Sequence, residues 1–406
     1  MDENQFIGKK RNISSNNNNV LNTLNNNNIN NDDASNSTQN SNAINSPKKD
    51  NNNNKLYNEG ILLTEHNHWI NIILFLKYQP NHNLISSSAD GQIIIYDNYP
   101  NYKPILKMKL FGESGVTYIT ELKNGSLITC SFGAIKQIIL TYNKINNQFN
   151  YNVINYFAIS TSYISKCIEL KNENLVFISQ QDELVILQKE ENNKNNNGKE
   201  INDIFNKKLF VPLLKYEICV NILQLKDNLI ISGSITDPKY NILEKNSNKI
   251  NMNYINFYDG NFNSIKKIKK IYCTKSQNNI VKINEKYVII GVEMYANKLN
   301  WNNNKGIVLI DYNCFEVISF YEMANQISSI LFFENNLYVG DNKGFLEKLY
   351  FNGSEFLSKK KKRIHCYNIT SISCEYITNK EKNEKIFLII TGSNDTTIKI
   401  TSFFND

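Results

Sequence analysis

The chain has 406 residues, a length that suits one large domain or two of ordinary size. Its 45 lysine and arginine residues against 38 acidic residues leave a net charge of +7, a mild excess compared with that of a dedicated nucleic-acid binder. The N-terminus lacks the apolar core of a signal peptide, and the sequence contains no apolar run of about 18 residues that would span a membrane. We therefore expect an intracellular protein, cytoplasmic rather than nuclear.

Composition divides the chain near residue 55. Residues 1–54 are dominated by asparagine and serine and contain too few apolar residues to build a core, so we expect a disordered arm. Residues 55–406 carry nearly all of the 23 tyrosines and 21 phenylalanines and are rich in isoleucine, a composition that favours strands. We expect one all-β domain over this range.

A strand-turn-strand unit recurs along this second part. Each copy has a short apolar strand, a turn of small residues and a second strand, as in LISSSADGQIIIYD from Leu84 and LIITGSNDTTIKIT from Leu388. An alternating segment precedes every copy and another strand-like run precedes most of them, so each unit comprises four strands. Successive copies lie about 50 residues apart, near the period of a four-stranded propeller blade. The seven copies begin at Leu84, Leu127, Leu175, Leu229, Val288, Leu337 and Leu388.

Two of the units carry polar landmarks in a fixed order. The first unit has a histidine four residues before its first strand, then a strand hydroxyl, a turn aspartate and an aromatic residue: His66, Ser86, Asp90 and Tyr96. The last unit has Ser393 and Asp395 in the corresponding turn. This order resembles the WD40 repeat family, with tyrosine in the first unit and threonine in the last where tryptophan is usual. The resemblance covers the other five units loosely.

The resemblance implies an all-β, seven-bladed β-propeller whose blades each contain four antiparallel strands. It also implies that the landmark residues form a structural brace, in which the histidine, hydroxyl, aspartate and aromatic side chains are joined by hydrogen bonds. Proteins of this family act as non-catalytic scaffolds that present rigid faces to other proteins. We therefore expect a monomeric propeller that works as an adaptor within a multiprotein complex, with partners whose identity the sequence does not indicate.

The two ends of the domain each leave one strand without a neighbour. The last unit ends after its third strand, around Ile400, so it lacks an outer strand. The segment ILLTE from Ile61 precedes the first strand of the first unit and has nothing before it to pair with. We predict that this N-terminal strand completes the last blade and so closes the ring, which leaves no open sheet edge there.

The sequence contains no motif of an enzyme, a metal site or a cofactor site. Nucleophile elbows, Walker loops, dinucleotide-binding glycine motifs and HExxH zinc motifs are all missing. The seven cysteines are scattered without a CxxC pair, and the four histidines do not converge with other metal ligands. Asp90 and Asp395 occupy tight turns, where aspartate is favoured for local hydrogen bonds rather than for catalysis. We expect a protein that is not an enzyme and has no small-molecule substrate.

A basic run and two loop insertions are the candidates for binding. The run is Lys359, Lys360, Lys361, Lys362 and Arg363. It fits a solvated outer strand or loop better than it fits contacts to nucleic acid, to an anionic membrane or to an acidic partner. The insertions follow the second strands of the fourth and fifth units, so we expect them to form one raised lip. This lip either binds proteins or consists of asparagine-rich insertions that the loops merely tolerate. Its candidate interface residues are Tyr240, Met294, Tyr295 and Trp301.

Overall fold

The structure, a computed structural model, describes residues 60–79, 81–143, 145, 148–179, 183–189, 205–212, 217–236, 254–269, 271–273, 279–295, 305–379 and 384–402. The predicted disordered arm, residues 1–54, lies outside these ranges. Within them the chain consists of strands and the turns that connect them, without a helix. The prediction of an all-β fold is therefore confirmed.

The strands of the described ranges, numbered in chain order, pair antiparallel and mostly with their neighbours along the chain; they form four sheets of four strands, one of five and one of seven. Counting the seven-stranded sheet as two groups, we name these groups units one to seven. Strand β1 (Ile61–Leu63) precedes unit one. Unit one contains β2 (Ile70–Phe75), β3 (Leu84–Ser88), β4 (Gln92–Tyr96) and β5 (Pro104–Lys109). Units two and three contain β6 (Tyr118–Glu121), β7 (Leu127–Cys130), β8 (Phe132–Asn143), β9 (Gln148–Glu169), β10 (Leu175–Ser179), β11 (Glu183–Lys189) and β12 (Phe205–Pro212).

The second half of the chain repeats the pattern. Unit four contains β13 (Glu217–Lys226), β14 (Leu229–Thr236), β15 (Tyr254–Tyr258) and β16 (Ser264–Lys269). Unit five contains β17 (Ile271–Cys273), β18 (Ile280–Lys282), β19 (Tyr287–Tyr295), β20 (Gly306–Asp311) and β21 (Glu316–Glu322). Unit six contains β22 (Ile327–Phe333), β23 (Asn336–Asp341), β24 (Phe345–Phe351) and β25 (Phe356–Arg363). Unit seven contains β26 (Ile369–Asn379), β27 (Glu384–Ser393), β28 (Ile398–Thr401) and, as its fourth strand, β1.

Strand β9 belongs to two units at once. Its first half pairs with β8 and its second half pairs with β10, so units two and three share one seven-stranded sheet. The sequence pattern predicts two separate strands here. They merge because the segment between them, Ser160-Thr161-Ser162, contains no glycine or proline that would turn the chain.

Unit five departs from the pattern in its first strand. That strand is divided, since β17 pairs with the end of β19 and β18 pairs with its middle. Strand β19 also continues further than the sequence predicts. Its last two residues, Met294 and Tyr295, pair with Tyr272 and Ile271, so their backbone lies in a strand and not in an inserted loop. The predicted loop is therefore shorter than expected, because an additional partner strand extends the sheet.

The N-terminal and C-terminal strands pair with each other. Strand β1 runs antiparallel to β28, with Ile61 opposite Ile400 and Leu63 opposite Ile398. Leu63 is buried, together with Leu388 and Ile390 of β27. The expected pairing of the two leftover strands is present, and it joins residues more than 330 positions apart in the chain.

Both faces of the central strands are buried. In β4 the side chains of Ile93 and Ile95 pack in a cluster with residues of unit two, whereas Ile94 and Tyr96 pack in a second cluster with residues of unit seven. Successive side chains of a strand point to opposite faces, so this division follows from the pleat. An uninterrupted apolar run such as IIIY is therefore what a strand between two packed neighbours requires.

Side-chain hydrogen bonds join each unit to the next along one edge of the sheets. We call this the upper edge; it is the edge at which the first strand of a unit begins, the second ends and the third begins. Most of the links lie near the start of the first strands, and they run from each unit to its successor and from unit seven back to unit one. The linked pairs are Asn71–Val116, Thr117–Ile164, Lys166–Asn221, Asn221–Asn279, Glu293–Gln326, Ser328–Ile369 and Thr370–Ile70.

A second set of contacts recurs at the opposite, lower edge in the first four units. At this edge, a side chain at or near the end of a unit's first strand accepts a hydrogen bond from a backbone N–H of the preceding unit. Glu121 accepts from Lys77 and Tyr78, and the equivalent contacts join Glu169 to Lys123 and Gln224 to Lys171. The acceptors belong to a recurring Glu/Gln-Leu-Lys sequence at 121–123, 169–171 and 224–226. This short repeat thus encodes contacts between neighbouring units.

Candidate functional site

The predicted brace of unit one is assembled at the upper edge. His66 precedes β2, Ser86 lies in β3, and Asp90 lies in the turn that leads to β4. The imidazole Nδ1 is 2.9 Å from Asp90 Oδ2, and Nε2 is 2.7 Å from Ser86 Oγ. Ser86 Oγ is in turn 3.4 Å from the hydroxyl of Tyr96, a longer contact. The structure therefore brings together all four residues that the sequence assigned to this brace.

The Asp90 carboxylate is held ionised by these contacts. Partial burial by itself raises its pKa, but hydrogen bonds from His66 and from the backbone N–H groups of Asn67 and Gln92 outweigh that effect and lower the pKa to about 2. His66 is only 3% exposed. Both ring nitrogens and the carboxylate are thus engaged within the protein, which is the arrangement of a structural support.

A second brace occurs in unit seven, with a histidine that the sequence reasoning missed. His365 Nδ1 is 2.9 Å from Asp395 Oδ2, and its Nε2 is 2.9 Å from Thr391 Oγ1. The predicted Ser393 does not contact the histidine; its hydroxyl donates to the carbonyl of Tyr367 and accepts from the backbone N–H of Asp395. The sequence pattern assigned only Ser393 and Asp395 to the brace of this unit, so His365 and Thr391 are additions from the structure. The missed signal was spacing, because His365 precedes Ile369 by four residues, as His66 precedes Ile70.

Unit six has a related turn in which an amide replaces the imidazole. Asn325 Nδ2 donates to Asp341 Oδ2 at 2.8 Å, and the backbone N–H groups of Lys343 and Phe345 both donate to the other carboxylate oxygen at 2.9 Å. Asp341 is buried. The turn aspartates of units one, six and seven are thus all used to hold the upper edge.

A buried cation links units three and four. Lys166 in β9 is 7% exposed, and its Nζ donates to Asn221 Oδ1 at 2.5 Å. Burial lowers the pKa of Lys166 to about 8. The Lys166 Nζ is the donor that joins unit three to unit four here.

The predicted basic run occupies the outermost strand of unit six. Most of its side chains are exposed in β25, but several are engaged. Lys361 Nζ is 3.0 Å from Glu347 Oε2, and the Lys359 ammonium lies 5.5 Å from the centre of the Tyr350 ring. Arg363 lies at the upper edge, where its guanidinium donates to the carbonyls of Lys343, His365 and Cys366. Part of the run therefore stabilises its own surroundings.

The predicted interface residues are only partly described. Tyr240 and Trp301 lie outside the described residues, as do the side chains of Met294 and Tyr295. The connections that contain or adjoin these residues leave β14 at Thr236 and β19 at Tyr295. Both departures are at the ends of second strands, so the connections start from the upper edge.

Large aromatic side chains that the sequence reasoning passed over are exposed at this same edge. Trp69 stands one residue before β2 and is 52% exposed, and Tyr367 stands two residues before β26 and is 64% exposed. Phe132, at the start of β8, is 63% exposed. The sequence alone gave no reason to separate these residues from the many aromatics of the core, since only packing between units distinguishes them.

The described residues include no cluster of three or more side chains suited to hold a metal ion. Over the same ranges, no helix has the length and apolar character to cross a membrane. Of the cysteines, Cys130, Cys167, Cys219 and Cys273 are buried, whereas Cys314 and Cys366 are exposed. Burial raises the pKa of the Cys130 thiol well above its ordinary value, so this sulfur stays protonated.

Neither a scan against models of known protein families nor a search of curated protein sequences finds a match to this chain.

Proposed function

We propose that this protein is a non-catalytic scaffold that binds other proteins, built on a divergent seven-bladed β-propeller of the WD40 type. The observation that carries the proposal is the order of contacts along the upper edge. Each unit is hydrogen-bonded to its successor, and unit seven is hydrogen-bonded to unit one through Thr370 and Ile70. A series of contacts that returns to its starting point is what a ring of blades requires.

The pairing of β1 with β28 supports the same interpretation. In a ring of antiparallel blades, a strand from one terminus that completes the blade formed by the other terminus fastens the circle. The two braces support the WD40 assignment, because His66 and His365 each join a turn aspartate to a strand hydroxyl in the order typical of that family.

The scaffold role is supported by what the polar groups of the upper edge do. The imidazoles of the braces are buried, and they and the half-buried carboxylates are satisfied by one another, so they serve the fold rather than a reaction. The large apolar side chains Trp69, Tyr367 and Phe132 are instead exposed at this edge, and aromatic residues of this kind are the usual anchors of protein interfaces. The same edge carries the starts of the two predicted insertions.

Affinity purification of the tagged chain with mass spectrometry tests this function. The intact protein is compared with a variant that lacks residues 237–253 and 296–304, which connect second to third strands in units four and five. We expect the intact chain to recover a reproducible set of proteins that rebind when purified, and the variant to lose part of that set. Failure of the intact chain to recover any partner that rebinds would refute the scaffold role.

A second candidate function is binding of nucleic acid or an anionic membrane through the basic run from Lys359 to Arg363. It is favoured by the position of the run on an outermost strand, where most of its side chains are exposed. Binding of this kind weakens steeply as salt is raised, whereas an apolar interface responds little. Replacement of the five basic residues by glutamine abolishes any such binding if this candidate is correct, and leaves all binding intact if it is wrong.

A further inference from the structure

The first half of β9, which is the outer strand of unit two, has an open edge. On one side it pairs with β8, with Phe149 opposite Tyr142 and Val153 opposite Ile138, and no strand of the described ranges pairs with its other side. A register shift at Ile154 ends the regular stretch. Every second residue of an antiparallel strand directs its backbone N–H and C=O away from the strand it is paired with, so residues 149–153 can accept a further strand. We call residues 149–153 the β9 edge.

The other outer strands carry features that oppose pairing with a further strand. Charged residues and short length are the usual ones, because a charged or short edge is a poor template for another chain. Residues 148–163 contain neither a charged residue nor a proline, so the β9 edge has no such protection. The features of the other outer strands are Lys107 and Lys109 in β5, Lys207 and Lys208 in β12, three lysines in β16, Glu316 and Glu322 in β21, five basic residues in β25, and a length of three residues in β1.

The side chains of the β9 edge form one apolar row and one amide row. Phe149, Tyr151 and Val153 alternate with Asn150 and Asn152, so the two rows lie on opposite faces of the sheet. Phe149 is buried, but Tyr151 is 37% exposed and Val153 is 44% exposed, and both asparagines are exposed. An open edge that combines exposed apolar side chains with an absence of charge is the kind that pairs with another chain.

The pattern of the β9 edge is self-complementary. In an antiparallel pair of two such edges centred on Tyr151, the two tyrosines lie opposite each other, Phe149 lies opposite Val153, and Asn150 lies opposite Asn152. Side chains that are opposite in an antiparallel pair point to the same face, so apolar groups meet apolar groups and amides meet amides. A shift by one residue loses this match. Two copies of a lysine-rich edge such as β25 repel each other instead.

We infer that the β9 edge is a self-association site, at which two copies of this chain join their sheets across a two-fold axis. A two-fold interface uses the same surface on both copies, and the β9 edge meets this requirement because its sequence matches itself when reversed. The inference goes beyond the proposed function and does not depend on it, since it involves this chain alone. It differs from the expectation of a monomer, which followed from the family resemblance.

Charge substitutions at Tyr151 test whether this residue faces its own copy. The molar mass of the full chain is measured by light scattering, and its dissociation constant by sedimentation equilibrium. We expect the full chain to reach twice the mass of a single chain as its concentration is raised. Tyr151→Lys and Tyr151→Glu each raise the dissociation constant by about tenfold or more, because like charges then face each other. An equimolar mixture of the two variants recovers the dimer, because lysine then faces glutamate.

Controls separate this edge from other surfaces and from loss of folding. Ile318→Lys is the matched control, because Ile318 is 45% exposed on β21, another outer strand, and it leaves the dissociation constant unchanged. Asn152→Lys changes an exposed side chain and also weakens association, so the result does not depend on partly buried Tyr151. Thermal unfolding checks that each variant folds. Deletion of residues 1–50 leaves the dimer intact, because a second copy of β9 occupies the edge.

Four outcomes overturn the inference. The full chain keeps the mass of a single chain at every concentration, Ile318→Lys weakens association as much as Tyr151→Lys, or the mixture of the lysine and glutamate variants does not recover the dimer. The fourth is loss of the dimer when residues 1–50 are deleted, which would show that association depends on the N-terminal arm. Recovery of other proteins by affinity purification bears on the scaffold function alone, so the two proposals fail separately.

Discussion

The pairing of the two terminal strands makes a quantitative prediction about stability. Leu63 is 6% exposed and packs with Leu388, Ile390, Ile398 and Ile400, whereas its neighbour Leu62 is 54% exposed. Removing three carbons from a buried leucine costs about 2 to 5 kcal/mol through lost burial and the cavity that remains. The same change at an exposed position costs about 0.5 kcal/mol or less. We therefore expect Leu63→Ala to be destabilising and Leu62→Ala to be nearly silent.

Deleting β1 altogether has a larger predicted effect. The deletion removes the packing of the buried Leu63 side chain and of the half-buried Ile61 side chain. It also removes the backbone hydrogen bonds between three pairs of residues, and each hydrogen bond is worth about 1 kcal/mol net. The sum is about 5 kcal/mol, which is a large fraction of the 5 to 15 kcal/mol by which proteins are typically stable. Deletion of residues 12–50, by contrast, removes none of these contacts.

Urea unfolding followed by circular dichroism measures these differences. The urea concentration at the unfolding midpoint is well below that of the unmodified protein for Leu63→Ala. For Leu62→Ala it equals that of the unmodified protein. Deletion of residues 60–64 lowers the midpoint further, whereas deletion of residues 12–50 leaves it unchanged. Equal midpoints for the two leucine variants, or equal tolerance of the two deletions, would show that the terminal strand does not fasten the domain.

Three further predictions concern the contacts between strands and units. His365→Ala leaves the half-buried Asp395 carboxylate without its imidazole partner and lowers the free energy of unfolding by about 2 to 3 kcal/mol, whereas His68→Ala on the surface has little effect. Because the pKa of Asp90 is lowered from 3.8 to about 2, its stabilising contribution, about 1 to 2 kcal/mol, is present above pH 4 and is lost as the pH falls through 2. Asp90→Asn therefore flattens the loss of stability over this acid range in unfolding titrations, and an unchanged slope would contradict the assignment. Glu121→Ala weakens the lower-edge contact between units one and two by about 1 to 2 kcal/mol in urea unfolding, while Glu121→Gln retains most of it, because glutamine already serves at the equivalent position of unit four.

Local features of the sequence predicted much of the architecture. Alternation of apolar and polar residues, small-residue turns and a recurring period identify four-stranded units, because strand formation and turns depend on residues that are close in the chain. Counting the strands also indicated that Ile61 to Leu63 pair with the last unit, since each leftover strand had no other neighbour. The residues of the first brace were identified because their order in the chain follows that of a repeat family.

The remaining features depended on contacts between distant residues. Met294 and Tyr295 lie in β19 because β17 supplies them with a partner strand, and short-range pattern does not reveal such a partner. The histidine of the second brace was missed although it stands four residues before Ile369, because it lies 30 residues before the aspartate, against 24 in the first brace.

Burial of aromatic residues was also decided by tertiary structure. Trp69 and Tyr367 are exposed while Tyr96 and Tyr338 are buried, although all four lie in or next to strands of similar composition. The sequence by itself determined most of the strands, the recurrence of four-stranded units and the matching of the two ends. Only the packing of one unit against the next decided which side chains support the fold and which remain at the surface, because burial depends on neighbours that are far apart in the chain.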